Sequence, residues 1–116
     1  MSSKYILVID DNEDLADGLS ELMEMYDHKV DIAFTGTAGI EAAAGQDHDF
    51  IFIDIGLPDM NGVDCAKRIM EGGARATILL MTGYSARDLP ARSGELEGFV
   101  VLTKPIDPRK LLDMIG

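Results

Sequence analysis

Five side chains of three types could do chemistry together: Asp10 and Asp11 ending "YILVIDD", Asp54 ending "FIFID", Thr82 in "LLMTG" and Lys104 in "VLTKP". Each stands at or just past the end of an apolar run. Crowded carboxylates raise one another's pKa, so an ionised cluster requires a compensating cation. A hard divalent ion with oxygen ligands, Mg2+ above all, meets that need while keeping several waters. Asp54, placed where losing water is unfavourable, can then serve as a nucleophile toward a phosphoryl group. Phosphoryl transfer asks mostly for positioning and charge neutralisation. The metal would bridge Asp54 and the incoming group, Lys104 would pair with another of its oxygens, and Thr82 would donate a hydrogen bond. Gly56 leaves room for a backbone carbonyl to join the metal shell, and Pro58 and Gly62 set the turn that follows.

Something must bring these residues to one place. Apolar runs recur at 5–9, 50–53, 77–81 and 99–102, and continuous runs rich in Ile, Val and Leu suit parallel strands covered on both faces. "KVDIAF" differs: Val30, Ile32 and Phe34 alternate with Lys29, Asp31 and Ala33, which predicts an edge strand. Between the runs lie helix-length stretches. Leu15, Leu19, Leu22, Met23 and Tyr26 form one stripe behind a cap at Asn12, Glu13 and Asp14. A second helix is expected from Thr37 with Ile40, Ala43 and Ala44 inward, and a third after Asn61 with Val63, Ala66, Ile69 and Met70 inward. Pro90 and Gly94 interrupt the stretch 85–98, so a fourth helix there should be short or irregular. Asp107 and Pro108 cap a last helix facing inward through Leu111, Leu112 and Ile115. The β-α unit repeated five times implies a parallel sheet with helices on both sides and right-handed crossovers. In such sheets ligands bind beyond the carboxyl ends of the strands, where the five residues would converge.

The totals narrow the partners. The chain of 116 residues is one domain of ordinary size. Its formal net charge of −11 repels phosphate backbones and anionic lipid, so neither nucleic acid nor a membrane surface is an expected direct partner. No apolar stretch reaches the roughly 20 residues that span a bilayer, and "MSSKYILVIDD" lacks the marks of a secretory signal, which makes the cytosol the expected address. Cys65 has no partner cysteine and is expected to be a reduced, inert thiol. His28 and His48 are expected to be solvated or edge histidines, the methionines core filler, and "FTGTAG" a turn plus helix cap rather than a phosphate loop, since it lacks the lysine.

Singly, each site residue has a plainer role: Asp10 and Asp11 as helix caps, Asp54 and Thr82 as loop residues, Lys104 as a solvated charge. Together they do not. "VIDDNE", "IDIGLPDMNG", "LLMTGY" and "VLTKPI", in this order at four strand ends, resemble the receiver domain of two-component response regulators over essentially the whole chain, 1–116. The resemblance implies a flavodoxin-like (CheY-like) α/β fold with strand order 2-1-3-4-5. It also implies Asp54 as acceptor of phosphate from a histidine kinase or histidine phosphotransfer protein, Asp10 and Asp11 as a Mg2+ site, Thr82 as switch residue and Lys104 as phosphate contact. Such a domain is a phosphoacceptor and not a turnover enzyme, and signals through the face built from the 85–98 stretch, the fifth strand and the last helix to a downstream target.

The chain departs from that pattern in two places. Receivers commonly carry Tyr or Phe three residues before the lysine. Here the position is Val101, and neither Phe99 nor Tyr84 replaces it, so switching by ring rotation is not expected. The interrupted 85–98 stretch points to output through local order rather than a rigid surface. Two rival functions fail on particular residues. A haloacid dehalogenase-type phosphatase wants an acid–base Asp two residues after its nucleophile, where this chain has Asn12 or Gly56. A flavodoxin-like cofactor carrier needs a Ser/Thr-rich loop where this chain has "DDNED". The start at Met1 favours a stand-alone or N-terminal position.

Overall fold

The computed structural model describes residues 3–83 and 98–116. Five strands, β1 (Tyr5–Ile9), β2 (Lys29–Ala33), β3 (Phe50–Asp54), β4 (Thr77–Thr82) and β5 (Val100–Thr103), form one parallel sheet in the order β2-β1-β3-β4-β5. Among the described residues there are four helices: α1 (Glu13–Met25), α2 (Gly36–Gly45), α3 (Gly62–Glu71) and α4 (Pro108–Ile115). The expected helix within 85–98 lies outside the described residues, as does Tyr84. No described helix is long and apolar enough to cross a membrane.

Strand alternation builds two cores. Leu7, Ile9, Ile51, Ile53 and Leu80 point to one face and pack with Val63, Cys65, Ala66 and Ile69 of α3 and Ala43 of α2. Ile6, Val8, Phe52, Leu79, Met81 and Leu102 point to the other and meet Ala16, Leu19 and Met23 of α1 and Leu111 and Ile115 of α4. Because β1 and β3 are buried on both faces, their unbroken apolar runs are the only patterns those faces accept. Asn12, Thr35, Asn61 and Asp107 each take a first-turn N–H on the side-chain oxygen, with Pro108 opening α4; α2 thus starts at Gly36, one residue before the Thr37 expected.

Several facing assignments need correction. Tyr26 lies past the end of α1 and is 49% exposed, Met70 is 52% exposed, and Ala44 faces solvent. In α3 the inward place is taken by Cys65, which follows Val63 by two and precedes Ile69 by four, so the buried stripe leans to that side of the helix. On β2 the strand stops at Ala33, and Phe34 turns outward as the chain bends into the Thr35 cap. Val30 and Ile32 are half-buried against the α1 core, as an edge strand allows.

His48 is also corrected. Its side chain is fully buried, packs against the Tyr5 ring at a 50° tilt with centroids 4.3 Å apart, and places Nε2 2.9 Å from Asp31 Oδ2. Standing two residues before β3, it is covered by β1 and β2 rather than by water. His28 fits the edge role: its Nδ1 accepts the Lys4 N–H. Cys65 is buried, and that burial pushes its thiol up to about 11, with the Asp59 charge adding to the effect. Such a thiol is not a nucleophile at neutral pH.

Candidate functional site

The carboxyl ends of β1, β3, β4 and β5 bring Asp10, Asp54, Thr82 and Lys104 to one rim, with Asp11 directly after Asp10. Asp54 is the last residue of β3 and stands opposite Met81 in the register, so Thr82 follows immediately on the neighbouring strand. Asp10 is wholly buried, Asp54 is 7% exposed and Thr82 2% exposed, while Asp11 is open to solvent. Carboxylate oxygens of Asp10, Asp11 and Asp54 all lie within 4.8 Å of one another.

Local bonds hold the cluster in place. Asp10 anchors its backbone N–H on Ala33, and its Oδ1 accepts the N–H of Asn12 at 2.9 Å. Its Oδ2 accepts from Lys104 Nζ at 2.8 Å, and the same ammonium stands 3.3 Å from Asp54 Oδ1. Lys104 is itself tied down: its backbone N–H bonds to the Thr82 carbonyl at 2.7 Å, and the bond to Pro105 is cis. The start of α3 closes on Asp54 from below. A Cβ on Gly62 would fall 2.2 Å from the Asp54 carbonyl oxygen, so only glycine fits that turn. Its N–H bonds to Ile55, and Gly56 pairs with Asn61 across the loop.

The charges are not balanced. Burial raises the Asp54 pKa above its ordinary value of 3.8, and the Asp10 charge adds to the rise; Lys104 and the Gly56 N–H pull the other way without reversing it. For Lys104, burial disfavours the charge, but the hydrogen bond from its ammonium to Asp10 and the fields of both carboxylates outweigh it and the pKa rises. Three clustered carboxylates against one ammonium is a donor set that fits a hard divalent cation.

Of the residues expected at the site, Asp10, Asp11, Asp54, Thr82 and Lys104 meet on the rim, with Gly56 just below. Two neighbours escaped sequence reasoning. Asn12 reads as a helix cap yet also orients Asp10 through its N–H. Asp59 reads as a turn residue, and its partners lie 22 and 23 positions away, beyond any local pattern.

A doubly wound parallel sheet with an acidic, lysine-closed cluster at its carboxyl rim defines a flavodoxin-like domain of the CheY type. The chain belongs to the response regulator receiver domain family of two-component signalling, whose model matches residues 6–116. It is 29% identical over 110 residues to the transcriptional regulatory protein DltR of Streptococcus agalactiae, covering 95% of this chain and 49% of that protein. The chain thus spans about half the length of the first curated relatives it matches. Among solved structures, a CheY-like receiver domain protein from Methanospirillum hungatei superposes with TM-score 0.86 at 27% identity, covering 98% of this chain and 91% of that one. A response regulator from Burkholderia pseudomallei, solved with a phosphorylated aspartic acid and a calcium ion, gives TM-score 0.82 at 26% identity over 98% of this chain and 67% of that one.

Proposed function

We propose that residues 1–116 form one receiver domain in which Asp54 accepts a phosphoryl group from the histidine of a kinase or phosphotransfer protein. A lone pair of the Asp54 carboxylate attacks phosphorus, the phosphorus–nitrogen bond of the donor breaks, and its electron pair goes to the imidazole ring. Lys104, which now spans Asp10 and Asp54, pairs with a phosphoryl oxygen, and Thr82 donates its hydroxyl to another. Asp10, Asp11, Asp54 and the Gly56 carbonyl would hold Mg2+, which when bound neutralises charge on the carboxylates and the phosphoryl oxygens. The observation that carries this reading is Lys104 Nζ lying 2.8 Å from Asp10 and 3.3 Å from Asp54 at the edge of the three-carboxylate cluster. The Burkholderia structure, solved with a phosphorylated aspartic acid and a calcium ion, supports it by likeness. Phosphorylation then alters the surface around β5 and α4, where a downstream protein reads it. Val101 on β5 is half-buried against the α3-side core beside Phe99, so a change there works through packing rather than ring rotation.

The test is intact-mass analysis with a small acyl or amidophosphate donor and Mg2+. The wild type should gain a single phosphoryl group and Asp54→Asn should gain none; an unchanged wild-type mass at saturating donor overturns the reading.

A further inference from the structure

The loop joining β3 to α3 carries a carboxylate that the transfer chemistry leaves unused. Asp59 reaches away from the acidic rim to the start of α2. Its Oδ1 accepts the Gly36 N–H at 2.8 Å, and its Oδ2 accepts both the Thr37 N–H at 2.9 Å and the Thr37 hydroxyl at 2.8 Å. First-turn N–H groups have no partner inside a helix, and one capping side chain commonly serves them. α2 has that cap in Thr35, which takes the Ala38 N–H at 3.1 Å. The remaining two donors are served by the phosphoacceptor loop instead, so the helix start and the loop hold each other.

Other contacts make this a brace with two fixed ends. Beside Asp59, the Met60 side chain lies so close to α2 that a Cβ on Gly36 would stand 2.5 Å from its Cγ. At the base, Gly62 bonds to Ile55 and presses on the Asp54 backbone. Gly56, paired with Asn61 across the loop, lies between the base and the Asp59 anchor. Three donors on one carboxylate hold its pKa down to about 2, with the Thr37 N–H the largest cause, so the anchor stays charged across the physiological range.

We propose that Asp59 is a positioning residue for phosphoryl transfer: by tying the loop to the first turn of α2 it fixes Gly56 and the Gly62 turn that lies against the Asp54 backbone. The inference rests on Asp54 being the acceptor. Asp59 itself touches none of Asp10, Asp54 or Lys104. Releasing the anchor should slow transfer on the order of tenfold, the scale expected when reacting groups are misplaced by a fraction of an ångström.

The experiment follows phosphorylation by a small amidophosphate donor, and Mg2+ binding by titration, in the wild type, Asp59→Ala, Asp59→Asn, Thr37→Ala and Asp31→Ala. All are read well below their melting temperatures. Asp59→Ala should lower the rate at saturating donor and weaken Mg2+ binding. Asp59→Asn, isosteric and with one acceptor oxygen left, keeps the fold should the alanine variant fail to fold, and Thr37→Ala should show a smaller loss in the same direction. Asp31→Ala weakens the fold far from the loop and should leave both quantities unchanged. Wild-type rates and Mg2+ affinity in the Asp59 variants overturn the inference while the acceptor reading stands. A wild type that takes no phosphoryl group overturns both.

Discussion

Asp54 and Asp31 are the same side chain on the two strands of this sheet that lie nearest to flanking β1 on either side, and the fold treats them in opposite ways. For Asp31, burial alone would raise the pKa, but hydrogen bonds from Tyr5 and His48 and the charge of Lys29 more than reverse it. For Asp54, burial and the Asp10 charge prevail over Lys104, and the pKa rises. In the edge cluster Tyr5 and His48 share one carboxylate oxygen of Asp31, while Lys29 stands 4.6 Å over the Tyr5 ring. The rim cluster is left short of positive charge. A group held in an unfavourable charge state is one that gains by reacting or by binding a cation, and this is where perturbed groups and chemistry coincide.

Removing Lys104 widens the contrast most. Lys104→Ala leaves Asp10 and Asp54 facing each other and takes away the donor proposed to pair with the phosphoryl group. Phosphorylation should fall on the order of a hundredfold, the usual effect of losing one preorganised donor, while Mg2+ binding persists. A time course matching the wild type would mean that lysine serves neither phosphate nor transfer.

The reverse experiment breaks the edge cluster. Asp31→Ala removes the acceptor of the Tyr5 hydroxyl and strands the buried Nε2 of His48, whose Nδ1 already has no partner among the described residues. Stability to urea should drop by about 2 kcal/mol, because buried polar groups left unpaired carry their full desolvation penalty. The phosphorylation rate of the folded protein should not change. A matching fall in rate would show that edge and rim are coupled, and the division drawn between them would be lost.

A smaller effect of opposite sign is expected at the rim. Without divalent ions, Asp54→Asn removes one of the crowded charges and should stabilise the domain by about 1 kcal/mol, as neutralising a strained functional group often does. Adding Mg2+ should shrink that advantage, since the ion stabilises the wild type by binding its folded state. Thermal melts with and without Mg2+ decide it; a less stable variant in both conditions would place Asp54 among the satisfied carboxylates.

What was legible in the sequence divides along the same line. Asp10, Asp54, Thr82 and Lys104 were readable because each follows an apolar run that can only be a buried strand, and strand ends in a parallel sheet share a rim. The caps at Asn12, Asn61 and Asp107 were readable because a cap acts within three residues of itself. His48 was not, since its partner Asp31 is 17 residues away on a strand that reads as an edge, where a histidine is ordinarily wet. Asp59 was missed for the same reason. Met70 and Ala44 were misassigned because a helical stripe of either 3 or 4 residue steps fits the spacing, and which side is buried depends on the neighbouring helix.

The finest test uses pH, because the two kinds of carboxylate titrate with opposite consequences. Asp59, held near 2 against an ordinary 3.8, contributes stability that is fully present above 3.8 and is lost as pH falls through about 2. Asp54, raised above 3.8, carries a penalty that is fully present above its folded pKa and is gone below 3.8, where both folded and unfolded forms are protonated. Urea midpoints of the Mg2+-free wild type, Asp54→Asn and Asp59→Asn should therefore diverge in a set order. From neutral pH downward, the gap between Asp54→Asn and wild type should close first, because protonated Asp54 resembles the amide. The gap between wild type and Asp59→Asn should hold through that range and close only below 3.8, with the wild type falling toward the variant. Effects common to all three chains cancel in the differences. If the Asp54→Asn advantage grew on acidification, the crowding at the rim would have the wrong sign, and Asp54 would be held by its surroundings in the same manner as Asp31.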